Sequence, residues 1–292
     1  MRFALATACI LLAMPPAAQV APDTFFDSNG VQIRYVEQGT GDPVLLIHGL
    51  TASIETNWIT PGVFQELAKS HHVVAFDLRG HGKSAKPHDP SAYGGQTVTD
   101  ALRLLDHLHI QRAHFVGYSV GAIITAKLAT TNPERFITAT LGGHAGYRNW
   151  KPDYDQSWQR IASELESDVP FRGLVVSMNP RDQPPLTEDQ IREKSAALAA
   201  INDVKALAAW ERGGGREFNS TDEEIAAVKV PVLGVMGSLD NVASMQTLQK
   251  LLPSMQLVIV DGATHVGDRG VVRRPEFVAA IRQFIDAHPG AR

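Results

Sequence analysis

A chain of 292 residues with 44% hydrophobic and 20% charged residues has the composition of an ordinary globular protein, which excludes a disordered chain, a coiled coil or a collagen-like repeat. Lys and Arg number 27 against 31 Asp and Glu, so a net charge of -4 offers no basic surface for phosphates, and no nucleic-acid partner is expected. Cys9 is the single cysteine, which leaves no intramolecular disulfide, no CxxC pair and no thiolate metal site.

In chain order, residues 1–21 read as a secretory signal peptide: Met1 and Arg2, an apolar run from Phe3 to Met14, then Pro15 to Ala21. The run is shorter than the ~20 residues that span a bilayer. A frayed helix or an uncleaved anchor is the competing reading, because no clean A-x-A site is present. Cleavage implies a periplasmic or secreted protein with no stable membrane insertion. The mature chain, from residue 22, alternates strands with helices. Strands are predicted at Ile33–Glu37, Val44–Ile47, Val73–Phe76, Ala113–Val116, Phe136–Leu141, Val230–Met236 and Leu257–Val260, and helices near Val63–Lys69, Val98–Leu108, Ala122–Thr130 and Phe277–Ile285. That order predicts an α/β sheet with crossover helices. Between Gly142 and Lys229 the strand rhythm stops. Thr187-Glu188-Asp189-Gln190 is a capping box, and the apolar stripe after it predicts one helix through Trp210, ended by Gly213-Gly214-Gly215. Residues 144–227 are therefore expected to form a helical cap, inserted between core segments 22–143 and 228–292.

The sharpest chemical motif is Gly117-Tyr118-Ser119-Val120-Gly121, which lies between a predicted strand and a predicted helix. Small flanking residues in that context permit a strained turn that presents the Ser119 oxygen, a nucleophile elbow.

With His48-Gly49-Leu50, Asp77-Leu78-Arg79-Gly80-His81-Gly82-Lys83-Ser84, Gly237-Ser238-Leu239-Asp240 and Gly262-Ala263-Thr264-His265 in the same order, the chain resembles the α/β-hydrolase superfamily from about residue 24 onward. The resemblance implies an eight-stranded, mostly parallel sheet with helices on both faces, a triad at its carboxyl edge and a cap after the sixth strand. Serine at the elbow disfavours haloalkane dehalogenase and epoxide hydrolase, which carry aspartate there.

A serine nucleophile needs a base, and the base needs an orienting acid. His265 follows the strand Leu257–Val260 in a glycine-containing loop and comes last in the order Ser, Asp, His. His48 and His81 read as residues that orient glycine turns; His71, His72, His107, His109 and His288 read as solvated. Asp240 follows the strand that starts near Val230 and is the expected acid. Asp261 reads as a turn former and Asp77 as structural. The backbone amides of Val120 and Leu50 are the expected oxyanion donors, with a plain strand-ending turn at His48-Gly49 as the alternative.

Trp58, Trp150 and Trp210 are candidate substrate-binding residues, although each fits the packing of cap on sheet as well. The expectation is a serine hydrolase of a small or medium apolar ester that needs no cofactor and no metal. A lactonase, amidase or C–C bond hydrolase uses the same triad, and a non-catalytic ligand receptor is the alternative from another class. Oligomeric state is left open.

Overall fold

Successive side chains of a strand point to opposite faces, and in a parallel sheet both faces are covered, so its strands are apolar throughout. In the computed structural model, which describes residues 22–290, eight strands form one sheet whose central parallel strands follow this rule. The eight begin with β1 (Thr24–Asp27), β2 (Gln32–Gln38), β3 (Pro43–Ile47), β4 (His72–Phe76), β5 (Ala113–Tyr118) and β6 (Phe136–Gly142). After an insertion bearing the short β7 (Tyr147–Arg148) and β8 (Asn219–Ser220) come β9 (Val232–Gly237) and β10 (Gln256–Val260). The spatial order is β1-β2-β4-β3-β5-β6-β9-β10. β2 pairs antiparallel with both neighbours and every other pair is parallel, so the carboxyl ends of β3, β5, β6, β9 and β10 share one edge. The expected leader lies outside the described residues.

Alternation decides which helix each side chain meets. Leu45, Ile47, Val74 and Phe76 face the layer of α2 (Gly95–His107), α3 (Val120–Thr131) and α9 (Val242–Leu251). Val44, Leu46, Val73 and Ala75 face α1 (Val63–Leu67) and α10 (Pro275–Asp286). α3 has buried residues on all sides, as its uniformly apolar sequence requires.

The insertion holds α4 (Pro152–Leu165), α5 (Arg172–Ser177), α6 (Glu188–Ile201), α7 (Val204–Gly214) and α8 (Asp222–Ala226). β7 pairs in parallel with β8, which ties its two ends together. Leu165, Phe171, Val175, Ile191 and Leu207 form a separate small core, against which Leu50 packs. The Thr187–Gln190 capping box opens α6 as the pattern predicts. The single helix expected through Trp210 is instead two: Asn202 is extended, and Asp203 caps a new helix by accepting from the Lys205 and Ala206 amides. No described helix is long and apolar enough to cross a membrane.

Candidate active site

The turn from β5 into α3 requires close approach of backbone. A Cβ on Gly117 would meet the Gly121 carbonyl, and one on Gly121 would meet the Ile47 carbonyl of β3. Between them Ser119 is held at φ 54°, a left-handed conformation costly for a side-chain-bearing residue. Its amide donates to the Gly142 carbonyl at the end of β6 (2.8 Å), which anchors the strained turn to the neighbouring strand.

The loops after β9 and β10 bring Asp240 and His265 to this point. His265 Nε2 lies 3.0 Å from Ser119 Oγ, and Nδ1 lies 2.6 Å from Asp240 Oδ2. Burial pushes the Asp240 carboxyl up, but the hydrogen bond and charge of His265 outweigh it and hold it below the usual carboxylate range. An ionised carboxylate only accepts, so the Nδ1 proton points at Asp240 and Nε2 is free to accept from the serine hydroxyl.

Of the expected oxyanion residues, Val120 follows Ser119 directly and Leu50 follows Gly49, which abuts Ser119. Val120 is the first residue of α3, where helix amides lack intrahelical partners. Gly49 sits so close that an added Cβ would be 3.0 Å from Ser119 Cβ, and among the described residues the Leu50 amide makes no hydrogen bond. His48 fixes this loop as expected: Nδ1 donates to the Gly49 carbonyl (2.7 Å) and Nε2 accepts from the Leu78 amide (3.0 Å). Burial pushes its pKa down.

The competing acids are elsewhere. Asp261 accepts from the Ser238 hydroxyl (3.3 Å) in its turn. Asp77 is buried, pairs with Arg34 (2.9 Å) and accepts from the Ile54 and Lys83 amides. His71, expected in solvent, is buried, with Nε2 3.4 Å from Asp286.

The aromatic expectations need correction. Trp58 is 0% exposed in a short π-helix and packs with Ile54, Val63, Phe64 and Leu67 on the α1 and α10 side of the sheet. Trp210 is 2% exposed and stacks on Trp158 (5.5 Å between centroids) and Phe218 (5.2 Å). Trp150 leans on Tyr154 (5.3 Å) and Trp158 (6.3 Å). Trp150 and Trp210 pack within the insertion and Trp58 packs on the sheet, and none of their ring–ring contacts is with His265.

Three further residues support the site. Asn57 Oδ1 accepts from the Gly49 amide (2.9 Å). The Tyr118 hydroxyl donates to the His265 carbonyl. His144 follows β6, next to Gly143, whose added Cβ would lie 3.0 Å from His265 Cε1. Burial first, then the His265 charge, pushes His144 down to about 4. Its place just after the sixth strand and the place of Tyr118 inside the elbow motif were the available sequence signals; Asn57 acts through a contact with no local pattern.

A profile described as alpha/beta hydrolase fold matches residues 42–267. The chain is 27% identical over 266 residues to the dihydrolipoyllysine-residue acetyltransferase component of an acetoin cleaving system from Cupriavidus necator, covering 89% of this chain and 68% of that protein. It is 27% identical over 282 residues to a 2-hydroxy-6-oxo-6-(2'-aminophenyl)hexa-2,4-dienoic acid hydrolase from Metapseudomonas resinovorans, covering 90% of each. A solved 2-hydroxy-6-oxo-6-phenylhexa-2,4-dienoate hydrolase from Rhodococcus sp. strain RHA1 superposes with a TM-score of 0.66 at 23% identity, covering 92% of this chain and 99% of that one. With more than half of its length matched by the family profile, and with this sheet, the chain belongs to the α/β hydrolase fold family.

Proposed function

We propose that the protein is a serine hydrolase that cleaves a carboxylic ester through an acyl-enzyme on Ser119, with His265 as base and Asp240 as the acid that orients it. The observation that carries this reading is the relay Ser119 Oγ, His265 Nε2 and Nδ1, Asp240 Oδ2 at 3.0 and 2.6 Å on a strained elbow. Ser119 Oγ bonds to the acyl carbon while its proton passes to His265 Nε2. The negative charge on the carbonyl oxygen meets the Val120 and Leu50 amides, which are oriented before reaction and so need no reorganisation. Collapse expels the alcohol, which takes the proton from His265. Water then attacks the acyl carbon, gives its proton to His265, and the carboxylic acid leaves as Ser119 recovers its hydrogen.

The same residues serve the C–C bond reading, favoured by the likeness over 90% of both chains to a hexadienoic acid hydrolase. Residues 144–227 act in this account as a cap over the acyl chain, supported by the packing of Leu50 against the insertion core. The substrate is a small molecule, and the chemistry uses no cofactor. A panel of p-nitrophenyl esters, lactones, amides and a vinylogous 1,5-diketone decides the class. Ester turnover that Ser119→Ala reduces to the residual of about 10³ over water given by oxyanion donors and binding supports the reading; turnover of the diketone alone overturns the ester assignment.

A further inference from the structure

Among the described buried charged groups, Asp77 is paired with Arg34 and Asp100 with Arg79, but Glu211 has neither an ion pair nor a hydrogen bond. It lies on α7 and is 4% exposed, between the buried Trp210 and Arg212, which turns outward to Glu166 (2.6 Å). Buried polar groups in native proteins are nearly always satisfied, so such a carboxyl calls for a partner from outside the chain.

Two half-buried polar side chains connect it to the reaction centre. The Glu211 carboxyl bears electrostatically on the Tyr147 phenol of β7, a half-buried side chain for which no hydrogen bond is found among the described residues. The Tyr147 ring stands edge-on to His144, with centroids 5.2 Å apart. His144 Nδ1 accepts from the Gly146 amide (3.0 Å), which puts the imidazole proton on Nε2. That Nε2–H has no partner among the described residues, and the His144 loop abuts His265. Neutral donors therefore lead from the triad into the insertion: the His144 N–H beside the His265 loop, the Tyr147 O–H whose ring meets His144, and the protonated carboxyl of buried Glu211 on α7.

We propose that His144, Tyr147 and Glu211 form a polar binding site for an acceptor oxygen, a carbonyl, hydroxyl or ether, carried on the acyl arm of the substrate away from the scissile carbonyl. The proposal rests on the acyl-enzyme reading of Ser119 and refines it: the acyl arm is oxygenated, not plain hydrocarbon. A site built to hydrogen-bond an oxygen discriminates strongly against an analogue lacking it, because its own groups are then left unpaired.

The test uses p-nitrophenyl esters in matched pairs, 4-, 5- and 6-oxoacyl against the methylene isosteres, on the full chain. For each pair the ratio of kcat/KM is compared between variants, so intrinsic ester reactivity cancels. Glu211→Leu and His144→Phe are expected to lower the oxo preference about tenfold or more, chiefly through KM, while Glu211→Gln, which keeps a donor, retains most of it. A preference equal in wild type, Glu211→Leu and His144→Phe at every oxo position, with Ser119 still labelled by a fluorophosphonate, overturns this proposal and leaves the esterase reading standing. Loss of both labelling and ester turnover in wild type overturns the two together.

Discussion

Replacing Glu211 by Gln changes one atom of a buried side chain and removes its titration. Burial without a counter-charge pushes this carboxyl from 4.5 up to about 8. Between those values the folded protein holds a proton that the unfolded chain has released, so its contribution to stability is complete below about pH 4.5 and is lost as pH rises toward 8. Three to four pH units at ~1.36 kcal/mol each amount to about 4–5 kcal/mol, an upper figure because unfolded chains are partly compact. Charged groups on neighbouring elements leave Glu211 alone: Lys205 is exposed, Arg212 pairs with Glu166, and Asp155 on α4 pairs with Arg216. Gln does not titrate, so Glu211→Gln gains on wild type as pH rises. At roughly 2 °C per kcal/mol for a domain of this size, the three units between pH 5 and 8 are expected to widen the Tm gap by up to about 8 °C. Thermal melts of both proteins at fixed ionic strength across that range provide the assay. A gap that stays constant within about 1 °C refutes the claim that Glu211 is buried, unpaired and protonated.

Further outcomes follow from the same geometry. Trp210→Ala, which empties space between Trp158 and Phe218, is expected to cost about 3–5 kcal/mol in urea denaturation while leaving the dependence of KM on acyl chain length unchanged; altered chain-length preference with unchanged stability contradicts the packing role. Asp240→Asn keeps the shape but replaces an acceptor-only carboxylate with an amide whose NH2 can donate to Nδ1, which no longer fixes the His265 proton there, so kcat is expected to fall on the order of 10⁴-fold with intact circular dichroism. Because the hydrogen bond to His265 holds the Asp240 carboxyl below its usual range, this bond supports the fold above the unfolded carboxylate value and fades only as pH falls through the lower folded value. A wild-type loss of stability between pH 6 and 5 that Asp240→Asn abolishes contradicts this. Expression in a Gram-negative host is expected to yield periplasmic protein shortened by about 17 to 25 residues, as N-terminal sequencing would report; soluble cytoplasmic protein with Met1 intact contradicts export.

How much was legible depends on whether the cause was local. The elbow demands small residues at Gly117 and Gly121 within a few positions of Ser119, so the turn could be found from spacing alone. His265 and Asp240 end strands whose apolar runs are plain, and chain order placed them. The β1 strand and the two-residue β7 and β8 are too short to show alternation. The break at Asn202 was masked because the apolar stripe continues through it, although Asp203 carries the capping signal. Trp58 and Trp210 misled because an amphipathic aromatic serves a pocket or a core equally well, and only tertiary contacts distinguish the two. Glu211 had no pattern to reveal it, since it acts on Tyr147 far away in sequence, and Asn57 reaches Gly49 across eight residues with no motif to mark it.

The central claim is that the Ser119 oxygen is an activated nucleophile. Intact-mass analysis after brief exposure to a fluorophosphonate reads this directly in wild type, Ser119→Ala and His265→Ala. One adduct per chain on wild type, mapped by peptide digestion to Ser119, absent from Ser119→Ala and slowed by orders of magnitude in His265→Ala, is the predicted result. No adduct on wild type, or an adduct that persists in Ser119→Ala, contradicts it.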